Sequence, residues 1–347
     1  MSDKLNYLPT RIVADEKIVD NRFARAILAR AEQLEIPLIN KTLDQPLDSE
    51  AGSARKTRCL HLSDRKRSYL KGWSHGETTP DRDEICLIPI EGCLFDCCYC
   101  YLQDYLNDLN LVATVNHAQL KAQIVQAIAG GGNFFSFGEL SDGLQLEFLL
   151  KYLPEIWECF ADNRTVELEI RTKSQLVSTV LGELEPLNNV TFTWTITPAS
   201  QARRLELYAP KPELRLKALK KLQAAGFSCG IRFDPLVLCD GWWEDFRGLL
   251  VRVEKIIDLK KLSSVKLGTF RFPAGLDLKI ISRFPGRSFI RDEFVRGPDG
   301  KYRYPKPRRI AAYKKLKKLL SSRGVNPQLC MEPDYIWRGA GYSLPAG

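Results

Sequence analysis

Four cysteines crowd into one run of eight residues, Cys93-Leu94-Phe95-Asp96-Cys97-Cys98-Tyr99-Cys100. Within it Cys93, Cys97 and Cys100 form a C-x3-C-x2-C triplet with an aromatic residue directly before the last thiol. Three thiolates can ligate three irons of a 4Fe–4S cluster and leave the fourth iron open to a small molecule. Structural zinc is the alternative, but zinc sites favour paired C-x2-C knuckles and a closed set of four ligands. Cys98 would have to complete that set, and adjacent cysteines rarely both reach one ion in good geometry. Ten cysteines in 347 residues, behind a start with no apolar segment resembling a secretory signal, suggest reduced thiols in a cytoplasmic protein rather than a disulfide framework. Cys59, Cys86, Cys159 and Cys229 read as core residues, and His61, His75 and His117 have no ligand spacing.

The triplet follows a predicted strand at 85–90, the first of six strand-then-helix units. The other strands are expected at 134–139, 166–172, 190–197, 230–238 and 265–271, with helices at about 117–129, 144–160, 175–184, 212–225 and 243–257. Asn116 caps the first of these helices and three glycines, Gly130-Gly131-Gly132, stop it. Such a series predicts an α/β fold, a partial (β/α)6 TIM-type barrel. Strand 166–172 carries Glu167, Glu169 and Arg171 on one face and leads into Lys173; strand 190–197 carries a threonine ladder. Strands of a closed, packed barrel are usually apolar on both faces, so this alternation predicts an open barrel with a polar lumen. We place the barrel at 84–275, after an N-terminal extension (1–83) with an amphipathic helix at 21–34 and a polar stretch at 44–56.

The remaining segment, 276–347, holds the charge. With 51 Lys+Arg against 42 Asp+Glu the chain carries +9, yet residues 283–323 alone carry a net +11. Gly297-Pro298-Asp299-Gly300 predicts a hairpin turn between 294–296 and 301–304, followed by a basic helix at 308–320. Cations interleaved with tyrosines suit a polyanion, which they neutralise and stack against; a solvated lysine-rich helix is the plain alternative. Arg296, Lys301, Tyr302, Arg303, Tyr304, Arg308 and Arg309 are the expected nucleic-acid contacts. No stretch reaches the ~20 apolar residues that a membrane-spanning helix needs.

The cysteine triplet resembles the signature of the radical S-adenosylmethionine superfamily. The run from Gly92 to Gln103, Thr172-Lys173, Asp234-Pro235 leading to Asp240-Gly241-Trp242, and the basic hairpin are together similar to the spore photoproduct lyase family. This resemblance implies a 4Fe–4S cluster on Cys93, Cys97 and Cys100, with the amino and carboxylate groups of S-adenosylmethionine on the open iron. One-electron cleavage then gives a 5′-deoxyadenosyl radical, with an electron donor such as flavodoxin or ferredoxin and DNA as partner. It implies cofactor contacts from Tyr99, Gly138, Glu139, Ser141, Asp142, Lys173 and Thr195, and radical-relay roles for Tyr99 and Tyr101. One position departs from the family: where the lyase has a hydrogen-donating cysteine this chain has Glu139, and a carboxylate cannot give up a hydrogen atom as a thiol can. Cys239, after the fifth strand, or Cys330 is then the expected donor. The alternative for Lys173 is a pairing with Glu139 or Glu169. Alternative readings are a radical enzyme for an RNA base, peptide or small molecule, and a non-catalytic metal-containing nucleic-acid-binding protein.

Overall fold

Val, Ile, Phe and Thr dominate the predicted strands, and these runs pair side by side in chain order. We label the strands of the central sheet β1 (Leu70–Trp73), β2 (Glu84–Leu87), β3 (Phe134–Phe137), β4 (Glu167–Thr172), β5 (Val190–Thr195), β6 (Ser228–Leu236), β7 (Ser264–Thr269) and β8 (Gln328–Leu329). The computed structural model describes residues 8–40, 58–64, 67–73, 78–79, 83–106 and 110–344; the predicted polar stretch 44–56 and His75 lie outside them. In the sheet β2 through β8 all run parallel, and β1 closes the other edge antiparallel to β2. The two edge strands, β1 and β8, do not pair with each other, so the barrel stays open. Residues 1–83 and 276–347 thus supply β1 and β8, one edge strand each.

The first 116 residues also build a second sheet. Arg11–Ala14, Leu38–Asn40, Cys59–Ser63 and Leu111–Thr114 run parallel, with the short strand Ile90–Glu91 antiparallel at the edge. The segment after the cysteine run therefore does not lead directly into the next helix; it first adds a strand beside Cys59–Ser63. Crossover helices His117–Ala129, Tyr152–Ala161, Pro212–Ala224 and Trp242–Ile256 bury the outer faces of the strands, through residues such as Leu120, Ile156, Leu219 and Leu250.

The helix expected at 144–160 is broken in two. Glu147–Leu150 ends at Lys151, whose φ of 53° is left-handed, and Tyr152–Ala161 starts anew. The buried Glu147 carboxylate accepts the Leu153 N–H at 2.8 Å and so caps the second helix, which a continuous helix would forbid. His117 opens its helix in an apolar wall, stacked on Phe23 at 4.0 Å. Burial, together with Arg30 and Arg22, pushes its pKa down to about 4. A histidine that binds its proton more weakly folded than unfolded costs stability as pH falls. The loss should run from about pH 6.5 down to about 4, on the order of 3 kcal/mol. Urea midpoints measured across that range should flatten in His117→Phe; an unchanged slope would refute the assignment.

Candidate active site

The inward face of the sheet carries alternating charge. Glu169 on β4 lies 3.1 Å from Lys266 on β7 and 2.9 Å from Arg232 on β6, and Arg171 lies 3.0 Å from it on its own strand. Arg171 also pairs with Glu84 and Glu139, both at 2.8 Å. Asp234 receives Arg271 at 3.0 Å. Burial alone would raise the Glu169 pKa, but Lys266, Arg171 and Arg232 outweigh it and hold this carboxyl well below its usual range. Gly268 makes room for the network: a Cβ there would stand 2.6 Å from the Asp234 carboxylate. The lumen is polar, as the strand alternation predicts.

Above this network lies a cavity of about 450 Å³. Cys93, Cys97 and Cys100 line it, together with Tyr99, Tyr101, Gly138, Glu139, Ser141, Asp142, Lys173 and Thr195. The cysteine loop is pinned from three sides. Gln145, fully buried, donates to the Gly92 carbonyl at 3.0 Å and accepts the Leu94 N–H at 2.8 Å. Gln103 donates to the Cys98 and Cys100 carbonyls, both at 2.9 Å, and Arg283 joins Gln103 to Asp96. The Cys98 N–H reaches the Leu205 carbonyl at 2.7 Å, at the end of the short helix Ala199–Leu205. Cys98 itself is buried away from the cavity, its thiol toward the Arg204 carbonyl. Sequence reasoning did not find Gln145, Gln103 or this helix. The first two are side chains bracing distant backbone, and seven residues carry little periodic signal.

Two of the three facing thiols receive backbone N–H groups, Cys93 from Phe95 and Cys100 from Leu102. Burial raises the pKa of all three, and Lys173 opposes the shift at Cys97 and Cys100. Donors and a cation aimed at thiols suit a cluster carried on thiolates. Among the described residues no three His, Cys, Asp or Glu side chains close on a single ion. An iron–sulfur cube asks something different, that each of three thiolates reach its own iron. The residues present fit the cluster.

The other predicted side chains divide sharply. Lys173 makes no ion pair among the described residues; its ammonium lies 5.7 Å from the centre of the Tyr99 ring, facing the cysteines. Arg171 takes up Glu139 and Glu169, the partners expected as its alternatives. The Tyr101 hydroxyl lies 2.9 Å from Glu139 Oε1. Gly138 has a φ of 107°, and a Cβ there would meet the Arg171 carbonyl at 2.5 Å. Asp142 lines the cavity, but its carboxylate is taken by the Thr172 hydroxyl at 2.6 Å and the N–H groups of Lys173 and Leu144. It braces the turn, with Oδ1 taking two of these bonds and Oδ2 one. Ser141 accepts from Gln145 at 2.5 Å. Tyr99 donates to Glu206, which pairs with Arg215; both members of the pair are fully buried. Neither Glu206 nor Arg215 carries a sequence signal for this role.

Two expectations need correction. Cys239 does not line the cavity; its thiol faces Gln201, 3.8 Å away. Cys330 does line it, accepting from Arg232 at 3.1 Å, because β8 pairs with β7 and turns that residue into the lumen. The hairpin is real, with Val295–Arg296 antiparallel to Tyr302–Arg303. It is not a uniformly exposed basic surface, however. Tyr304 is fully buried and accepts the Leu238 N–H; Arg303 pairs with Asp299 at 2.7 Å and Arg309 with Glu332, both inside. Arg308 is tied to Asp292 at 2.6 Å, and Tyr302 stacks on Phe272 at 5.4 Å. Arg296 is exposed, and Lys301 reaches the cavity wall. The strand Tyr302–Arg303 also pairs antiparallel with Arg271–Phe272, which joins the hairpin to the barrel.

A family model for spore photoproduct lyase matches residues 74–321, most of the chain. The chain belongs to the spore photoproduct lyase family. It is a radical S-adenosylmethionine lyase that uses a 4Fe–4S cluster. Solved spore photoproduct lyases share the fold. An alanine mutant with dinucleoside spore photoproduct has a TM-score of 0.78 at 19% identity, covering 93% of this chain and 98% of that one. A tyrosine-to-phenylalanine mutant gives 0.79 at 18% identity, covering 94% and 99%. A double mutant with bound AdoMet and the same dinucleoside gives 0.77 at 18% identity, again covering 94% and 99%. No curated protein matches. No helix among the described residues is long and apolar enough to cross a membrane.

Alanine at Gly138 should weaken S-adenosylmethionine binding while the fold survives. Strained backbone of this kind costs about 1–3 kcal/mol, or about five- to 150-fold in affinity. Equilibrium dialysis of the reconstituted variant checks it; wild-type affinity would show that the turn does not shape the cofactor site.

Proposed function

We propose that this protein is a cytoplasmic lyase that repairs photoproducts in DNA. The observation that carries the reading is the meeting of Cys93, Cys97, Cys100, Gly138 and Lys173 in one cavity at the sheet's end. The ten free cysteines support a reducing compartment. Bound together, cluster and S-adenosylmethionine supply a 5′-deoxyadenosyl radical once a reduced flavodoxin or ferredoxin delivers an electron. The chain's own work is positioning. Cys93, Cys97 and Cys100 hold three irons; the ammonium of Lys173 meets the methionine carboxylate; the Gly138 turn lets backbone approach the ligand closely. Tyr99, anchored through Glu206, offers its ring to the adenine, and Ser141 and Thr195 flank the ribose. The polar lumen admits the flipped-out lesion while its charged floor stays paired.

Glu139 is held by Arg171 and Tyr101 and serves to fix the Tyr101 hydroxyl. The hydrogen atom returned to the product comes from Cys330, the cavity thiol outside the cysteine triplet. Burial raises its pKa, which keeps the S–H intact at neutral pH. The test is anaerobic reconstitution with iron and sulfide, then dithionite, S-adenosylmethionine and irradiated DNA. Formation of 5′-deoxyadenosine with loss of photoproduct is expected; cofactor cleavage that leaves every photoproduct intact would refute the DNA reading. Cys330→Ser should divert the product to adducts without changing iron content, and unaltered product partitioning would remove Cys330 from the mechanism.

A further inference from the structure

A second, smaller cavity of about 150 Å³ lies behind the hairpin, away from the cysteines. A water needs about 10–15 Å³ of such space, so this pocket holds a group the size of a phosphate. Its walls come from the hairpin (Arg296, Asp299, Arg303), the start of helix Lys306–Ser321 (Lys306, Arg309) and Tyr335. Four cations thus face one acid.

Local pairing does not cancel that charge. Asp299 is spent on Arg303, whose Nη1 lies 2.7 Å from Oδ1 and whose Nη2 lies 2.7 Å from Oδ2, and Arg309 is spent on Glu332. Arg296 and Lys306 make no ion pair among the described residues, which leaves the pocket with two uncompensated positive charges. Arg303, only 4% exposed, keeps its Nε–H buried with no acceptor. Arg303 is thus a fixed, buried cation lining the pocket, held in place by its pair with Asp299. The helix adds to this. Its 16 residues begin after Pro305 with no side-chain cap and no acid in the first turn; Pro307 has no N–H, so the N–H groups of Lys306 and Arg308 and the positive end of the dipole stay available. Gly297 lies where a Cβ would crowd the Arg303 guanidinium at 3.0 Å, so the turn is shaped around this side chain.

We propose that this pocket binds a phosphate group, with Arg296 and Lys306 at its rim and Arg303 at its floor. The favoured source is a backbone phosphate of a nucleic-acid strand that crosses the hairpin on its way to the large cavity. That choice of source rests on the DNA reading above; the phosphate pocket does not.

The test compares the wild-type holoenzyme with Arg296→Gln/Lys306→Gln, both rim positions being exposed, after matched melting curves establish equal folding. Binding of a short duplex is followed against salt, and binding of inorganic phosphate by calorimetry. A log–log salt slope lower by about 0.9 in the variant, the value for one lost phosphate contact, supports a strand phosphate. An unchanged slope, with saturable inorganic phosphate binding in the wild type and none in the variant, supports the pocket with free phosphate as its source. Equal slopes and equal phosphate binding overturn the proposal. Should the wild type bind no duplex at all, the DNA reading falls, and the phosphate titration still decides the pocket.

Discussion

Replacing Arg215 by methionine is expected to cost about 3–5 kcal/mol, because it strands the Glu206 carboxylate in a fully buried site. Globular proteins are stable by only about 5–15 kcal/mol, so the urea midpoint should fall steeply. Burial alone would raise the Glu206 pKa, but Arg215 and Lys173 hold it below the ordinary range. Glu206 also accepts from Thr197 at 2.8 Å and from Tyr99, so the pair anchors the aromatic wall of the cavity. Adding Glu206→Gln to Arg215→Met removes the stranded charge and should restore most of the loss. A single variant as stable as the wild type would mean that the pair is not the anchor described.

Serine at Cys100 should abolish the cluster and leave the fold standing. The expected fall in S-adenosylmethionine cleavage exceeds the 10–100-fold that loss of an outer partner costs at a metal site, since here a ligand itself is gone. Cys98→Ser provides the contrast. That thiol is buried outside the cavity, so iron content and cleavage should match the wild type. Iron and sulfide analysis of the two variants separates the readings: equal loss in both, or none in either, would refute the triplet as the ligand set.

Much of this site was legible before any coordinates. The C-x3-C-x2-C spacing is local, and local spacing on a short loop fixes which thiols can share a cluster. Strand alternation announced the polar lumen, since residues two apart in a strand face the same side. Helix His117–Ala129 appeared where its Asn116 cap and glycine stop placed it. What failed were inferences about partners far apart in the chain. Arg215 sits in a helix expected from the sequence, but only its pairing with Glu206, which accepts from Tyr99, makes it a buried anchor. The tyrosines of the hairpin looked like surface stacking groups, yet Tyr304 is a core residue that accepts the Leu238 N–H. Cys239 and Cys330 could not be ranked from sequence. Which of them faces the lumen depends on β8 pairing with β7 across some sixty intervening residues. Chain-local geometry is written in residue order; the choice of long-range partner is set by which burial leaves the fewest charges and hydrogen bonds unmatched, and that is decided only when the whole chain has packed.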